Sequence, residues 1–416
     1  MDGFADNGEV EVIDQPVVGP HERQVDLDAF AHTGRTAPPN DNLAGRLGIL
    51  LNTKAVKLKP YRSAVKQTLA YLVAVGALAA IAHVRAAKTL DIYFIDVEGG
   101  QSTLLVTPAG QTLLIDAGFP GSGTFQSKPA DPLDARDAAR IVAAARDARV
   151  TKIDYLFITH FHADHDGGVV ELAQLMPIRT FVDHGSVAPE AELTVPGTQD
   201  AFSAYAAVRA KGRHIEPKLG DRLPLKGVDA IVVSTEGSTI VKPLAGAGGR
   251  NPVCAPSASV AQEPHENPRS TGIRLQFGKF RFLDVGDLSG RPLFALACPN
   301  NLIGPVDVYL VAHHGGVDAA DPATFATFHP RIAVLNNSPV KGGAPEVFAS
   351  LRHVHGLEDV WQLHRSTNPG AENFEDERIA NLDERTAYWI KLSATDDGSF
   401  RVMNGRTGIW KSYHVR

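Results

Sequence analysis

The chain has 416 residues, 44% hydrophobic and 21% charged, proportions that suit a globular protein able to bury a full core. A formal charge of −6 gives no general electrostatic footprint for nucleic acid and argues against a dedicated DNA binder. The two cysteines, Cys254 and Cys298, exclude a cysteine-based zinc module. Spacing leaves open whether they pair in an oxidising compartment or stay as two buried thiols.

Residues 1–60 are rich in Asp, Gly, Pro and Asn without sustained periodicity, and read as a disordered N-terminal extension. Residues 61–88 form a signal-like or membrane-anchor segment. Lys54, Lys57, Lys59, Arg62 and Lys66 precede an uncharged run from Thr68 to Ala82 with small-residue exits, the pattern of a secretory signal. The run is short for a membrane span, which needs ~20 residues. It also lies deep in the chain. One reading places the true start at Val65, because the next methionine after Met1 is Met176. The expectation is export to the periplasm or outside the cell. A membrane anchor at 68–82 and a buried alanine-rich helix are the alternatives.

Residues 89–340 are predicted as the main domain. Asp91–Val97, Ser102–Thr107 and Gln111–Asp116 are short β-rich runs separated by Gly99-Gly100 and Pro108-Ala109-Gly110, an antiparallel meander. Asp134–Arg149 places Ala138, Ile141, Val142 and Ala145 on one face, an amphipathic helix. A strand at Ile153–Ile158 leads into Thr159–Gly168, and a helix continues to Met176. Arg179–Asp183 is a strand ending at His184, and Ala201–Lys211 is a helix. Further strands are expected at Ala230–Ser234, Ile273–Phe277, Lys279–Asp284, Val306–Ala312 and Arg331–Leu335. Residues 341–416 are read as an extension packed on the same domain, with a helix at Pro345–Val354 and β segments at Val360–Leu363 and Ala387–Leu392.

Strand ends deliver the candidate chemistry. His160, His162, Asp164 and His165 follow one strand, His184 a second, Asp287 a third, and His313 and His314 a fourth. Imidazole nitrogen and carboxylate oxygen are the ligands that Zn²⁺ and related cations take. One arrangement uses them all. His160, His162 and His184 form a three-imidazole site; Asp164, His165 and one of His313 and His314 form a second; Asp287 bridges. His313 is the preferred member of that pair, on the argument that neighbouring strand residues point opposite ways. Two cations so held, Zn²⁺ or alternatively Mn²⁺ or Fe, would generate a bridging hydroxide at neutral pH. Hydrolysis is therefore the expected reaction, with Asp164 and Asp287 as the residues on which catalysis depends. Asp96 and Asp116 are candidate orienting carboxylates, Asp166 a solvent-facing or helix-N-terminal charge. Asn267 and Ser270 are read as backbone stitching, Arg269 as a surface or anion-binding arginine, and His364 as a packed or pocket-lining histidine.

Residues 91–337 resemble the metallo-β-lactamase superfamily, on Thr159–Gly168, the strand-final Gly286-Asp287 and the His pair before Gly315. Within it the chain is most similar to the hydrolase domain of competence DNA-uptake channel proteins, on Ile95-Asp96-Val97, Leu114–Gly118, Asn267–Ser270 and Val311–Gly315. The resemblance implies an α+β fold, a four-layer αββα sandwich, with a dinuclear site at its rim where Asp287 bridges and His184 joins the first metal. The channel segments of the competence proteins are absent. The expected substrate is a phosphodiester, small or oligomeric, with nucleic acid entering only as substrate. Carbonyl substrates such as β-lactams or lactones are the alternative, and a non-catalytic exported binding protein with a vestigial site is the other. No stable membrane partner is expected unless 68–82 is kept as an anchor.

Overall fold

The computed structural model describes residues 88–121, 135–254 and 265–415. The expectations for 1–60 and for the signal-like segment lie outside them. No helix among the described residues is long and apolar enough to cross a membrane.

The first half runs β1 (Leu90–Phe94), β2 (Thr103–Val106), β3 (Thr112–Ile115), α1 (Arg136–Asp147), β4 (Ile153–Phe157), α2 (Val169–Leu175), β5 (Ile178–Val182), α3 (Ala191–Thr194), α4 (Thr198–Arg209) and β6 (Arg213–Ile215). It continues with β7 (Asp229–Thr235), β8 (Ser238–Thr239), β9 (Gly272–Phe277), β10 (Phe280–Asp284), α5 (Gly290–Ala297) and β11 (Val308–Leu310). Then come α6 (Pro322–Phe328), β12 (Ile332–Leu335), α7 (Pro345–Arg352), β13 (Asp359–His364) and β14 (Ile379–Asn381). The chain closes with β15 (Ile390–Ala394), β16 (Ser399–Asn404) and β17 (Trp410–His414).

These strands build two sheets, ordered β17-β16-β15-β1-β2-β3-β4-β5-β6 and β14-β13-β12-β11-β10-β9-β7-β8. The β1–β3 meander is antiparallel, as the turn residues predict. From β3 to β6, and from β10 to β14, the pairs are parallel. Parallel neighbours need crossovers, and α1 and α2 serve β4 and β5 in that role. Residues beyond 340 feed both sheets: β13 and β14 extend the second, and β15–β17 extend the first alongside β1.

Strand periodicity sorts the side chains into layers. Leu90, Ile92 and Phe94 face the inter-sheet core, where they meet Ile273, Phe282, Val308, Val334 and Trp361. Tyr93 and Ile95 point the other way, onto Ile141, Ala145, Leu172 and Tyr205 of the first helical layer. The far face of the second sheet buries Leu283, Tyr309 and Val360 against Leu293, Phe325, Phe348 and Leu351. The fold is thus the αββα sandwich. Each fully buried Leu or Phe in these layers contributes about 1.5–3 kcal/mol of burial free energy.

Sequence reasoning passed over β16 and β17, whose outer position leaves Arg401 and His414 exposed and breaks the apolar signal. The Cys254–Cys298 question is also decided by the fold: the two form a disulfide.

Candidate metal centre

The site begins where β4 ends. Beyond Phe157 the chain leaves the sheet, and Asp116, at the end of β3, captures the departing loop. Its carboxylate accepts from Thr159 N at 2.8 Å and Thr159 Oγ1 at 2.8 Å, and pairs with His165 Nδ1 at 2.7 Å. The loop then turns on itself, with His165 N and Asp166 N both donating to the His162 carbonyl. Gly168 ends the turn because its α-carbon presses on β3's exit: a Cβ there would lie 2.2 Å from the Ala117 carbonyl oxygen.

Four side chains from three strand ends converge. His165 Nε2 lies 3.2 Å from both Asp164 Oδ2 and Asp287 Oδ2. His314 Nε2 lies 3.2 Å from Asp164 Oδ2 and 3.1 Å from Asp287 Oδ2. The four ligand atoms fall within 4.8 Å of one another, and all four residues are buried. Beside them His160 Nε2 is 3.0 Å from His162 Nδ1 and 3.9 Å from Asp287 Oδ2, so Asp287 touches both groups.

His314 is the member of the His pair in this group, not the preferred His313. The strand argument fails because β11 stops at Leu310, before the pair. His313 and His314 both adopt left-handed backbone, φ 51° and 54°, in a turn that gives the two rings different partners besides Asp287. His313 keeps Nε2 3.6 Å from Asp287 and 3.4 Å from Asn267 Nδ2, while its Nδ1 is 2.8 Å from Asp318. His313 borders a cavity of about 680 Å³ that opens over Asp164 and Asp287.

The residues fit a cation. Burial works against ionising Asp287, but His165, His314 and His313 outweigh it and hold its carboxyl well below the usual range. Asp164 is held low in the same way by Lys341, which contacts Oδ2, and by His165. Burial and the neighbouring His165 and His162 keep His160 well below its ordinary value, and burial takes His162 down to about 4. Both rings are therefore kept neutral, the form in which imidazole binds a cation. His165 is the opposite case: burial is outweighed by Asp287, Asp164 and Asp116, so it holds the proton whose place a cation would take. His162 Nε2 and Asp287 Oδ1 are buried without a hydrogen-bond partner, polar atoms whose desolvation a bound cation or its water would offset.

Several residues meet partners that the sequence did not announce. His184 Nε2 lies 3.1 Å from Glu266 Oε2, and its ring packs 4.4 Å from that of Phe161. Glu266 is itself anchored by Phe161 N and Ala188 N. It escaped sequence reasoning because the loop around it carries no periodicity. Asp166 is not solvent-facing; it is 1% exposed, and burial pushes its carboxyl well above the usual carboxylate range. Arg269 turns to the Ser186 carbonyl at 3.0 Å. Asp96 does not orient a member of the group. It pairs with the buried His364 at 2.9 Å and with Arg140 at 3.1 Å. Arg140 also meets Glu98 at 3.0 Å, so the Asp96–Glu98–His364 cluster already holds a cationic side chain. Asp318, on a single 3-10 turn, and Lys341, on a loop, were missed as well; each is legible only once the fold places it.

Residues 96–323 match the family described as the metallo-beta-lactamase superfamily. The chain belongs to that superfamily. The chain is also similar to a number of solved structures. A metallo-beta-lactamase HARLDQ motif mutant from Cronobacter sakazakii is 17% identical, covering 53% of this chain and 75% of that one, with a TM-score of 0.31. CmlA, a diiron beta-hydroxylase from Streptomyces venezuelae, is 14% identical over 65% of this chain and 52% of its own, with a TM-score of 0.38. Zn²⁺-bound PqqB from Methylobacterium extorquens is 14% identical over 63% and 85%, with a TM-score of 0.33. No curated protein matches. The clustered ligand residues and the superfamily fold are consistent with a metal-dependent hydrolase.

Proposed function

We propose that this chain is a dinuclear-metal hydrolase of phosphodiesters. The observation that carries the reading is the convergence of Asp164, His165, Asp287 and His314 within 4.8 Å, beside the His160–His162 pair and under the cavity. His160, His162 and Asp287 would hold one cation, and Asp164, His165, His314 and the shared Asp287 the other. The mixed nitrogen and oxygen donors suit Zn²⁺, with Mn²⁺ or Fe as alternatives. Bound cations supply Lewis acidity and a water acidic enough to attack near neutral pH.

The chain's own residues do the rest. Asp116 fixes the His165 ring through Nδ1 and leaves Nε2 for the metal group. His313, steadied at Nδ1 by Asp318, presents Nε2 to the cavity and is placed to hold a proton for the leaving oxygen. Lys341 adds a positive charge beside Asp164.

Preference for a phosphodiester over a carbonyl substrate is supported by likeness to the competence-type hydrolase domain at Ile95–Val97, Asn267–Ser270 and Val311–Gly315. Export is part of the proposal, supported by the Cys254–Cys298 disulfide, since such bonds persist in oxidising compartments.

The test is a substrate panel on metal-loaded protein: bis-p-nitrophenyl phosphate, single-stranded DNA, nitrocefin and a lactone. Turnover of a phosphodiester is expected, and Asp164→Ala should lower it by more than about 100-fold, beyond what loss of an outer partner of a ligand costs. Turnover confined to nitrocefin or the lactone would sink the reading.

A further inference from the structure

The cavity over the metal group is chemically two-sided. One side holds His162, Asp164, Asp287, His313 and Lys341. The other is an apolar wall of Phe119, Pro120, Val170, Val195, Ala201 and Ala204, drawn from the loop after β3, from α2, from the link between α3 and α4 and from α4 itself. Small side chains on α4 leave the space open, and Ala204 is exposed there although its helix packs on the domain through the buried Tyr205.

Charge is distributed just as unevenly. Among the described residues lining the cavity, Lys341 is the sole lysine or arginine, and the charged groups away from the metal side are the carboxylates of Glu171 and Asp200. A nucleic-acid strand carries a phosphate at every step and needs a row of cations to neutralise them. A strand laid along this wall would bring its next phosphates to Glu171 and Asp200.

Lys341 is held in place by its loop. Ser338 Oγ accepts from Lys341 N at 2.8 Å, and Ser338 N donates to the Lys341 carbonyl at 2.9 Å. Gly343 N donates to the His314 carbonyl at 3.0 Å, which ties this turn to a metal-group residue. The ammonium contacts Asp164 Oδ2 and sits 5.5 Å from the Phe119 ring centroid, at the junction of the polar and apolar sides.

We propose that the site selects a small, singly anionic ester with an apolar arm, its anionic centre beside Lys341 and the metal group and its arm along the Phe119–Val170–Ala204 wall. The inference rests on the phosphodiester reading and narrows it: the substrate is a lipophilic diester, not a polynucleotide.

Calorimetric binding to the zinc-loaded full chain tests it, using inorganic phosphate, hexyl phosphate (the monoester product that keeps both the phosphoryl group and the arm of such a diester), hexanoate, hexanol and a thymidine trinucleotide. Hexyl phosphate is expected to bind at least about tenfold tighter than inorganic phosphate, a small part of what burying six methylene-sized groups can yield. Lys341→Ala should weaken hexyl phosphate by about tenfold or more, with Lys341→Arg restoring most of it. Ala204→Asp, on an exposed helix face, should reduce the preference for hexyl phosphate over phosphate, with an unchanged melting temperature as the folding control. Equal binding of phosphate and hexyl phosphate, tighter binding of the trinucleotide, or indifference to Lys341→Ala would each overturn the inference. A chain-length effect carried by hexanoate and absent from hexyl phosphate would overturn the phosphodiester reading and leave the apolar arm standing.

Discussion

His313 and His314 are neighbours with different work, and the reason is backbone conformation. A left-handed conformation at a non-glycine residue costs of order 1–3 kcal/mol, so two in succession persist only where the surroundings enforce them. Here the turn buries His314 against Asp164 and Asp287 and leaves His313 at the cavity with Asp318 behind it. The two substitutions should therefore separate. His314→Ala is expected to lose roughly half the bound metal, measured by elemental analysis of the purified protein. His313→Ala should keep its metal and lose at least about tenfold in turnover, in line with removal of a proton-handling group. Equal metal loss in both would show that the turn does not divide the pair.

At the scale of elements, the site is assembled from strand exits, and the turn after β12 locks it. Gly342 has φ +70°, and a Cβ on it would sit 2.2 Å from the His314 carbonyl oxygen. The contact is with backbone, so nothing flexible can give way. Gly342→Ala is expected to destabilise the protein by more than about 1 kcal/mol, combining an unfavourable φ with the displacement of His314. Urea unfolding measures the first effect. Weakened metal retention on dialysis against a chelator measures the second, and full retention would show that the loop yields without moving His314.

The whole molecule depends on the core between the sheets, because the site's ligands come from both. His160, His162, Asp164 and His165 follow β4 of the first sheet, while Asp287 and His314 follow β10 and β11 of the second. Trp361 of β13 lies 1% exposed in that core, and its Nε1 donates to Tyr413 of β17 at 3.1 Å across the sandwich. Tyr413 in turn donates to Asp359 at 2.6 Å. Residues near the C-terminus thus fasten one sheet to the other. Trp361→Ala should cost about 3–5 kcal/mol, through lost burial and a residual cavity. It should also loosen metal binding although Trp361 touches no ligand; thermal unfolding followed with and without zinc would check both.

How much of this was legible beforehand follows from the range of the interactions involved. The amino-acid order by itself determined the β1–β3 meander, α1 and the strands that end at histidines and aspartates, because period-two and period-3.6 patterns are local, whereas the sandwich class followed from the family resemblance carried by Thr159–Gly168, Gly286-Asp287 and the His pair. It also marked His160, His162, Asp164, His165, Asp287 and the His313–His314 pair, because metal chemistry needs those residue types clustered at turns. Only the tertiary structure decided between His313 and His314, set His184 against Glu266, buried Asp166, paired the cysteines and brought Lys341 to Asp164. Each of those depends on a contact between residues far apart in the chain or on a single backbone turn, and neither leaves a periodic trace.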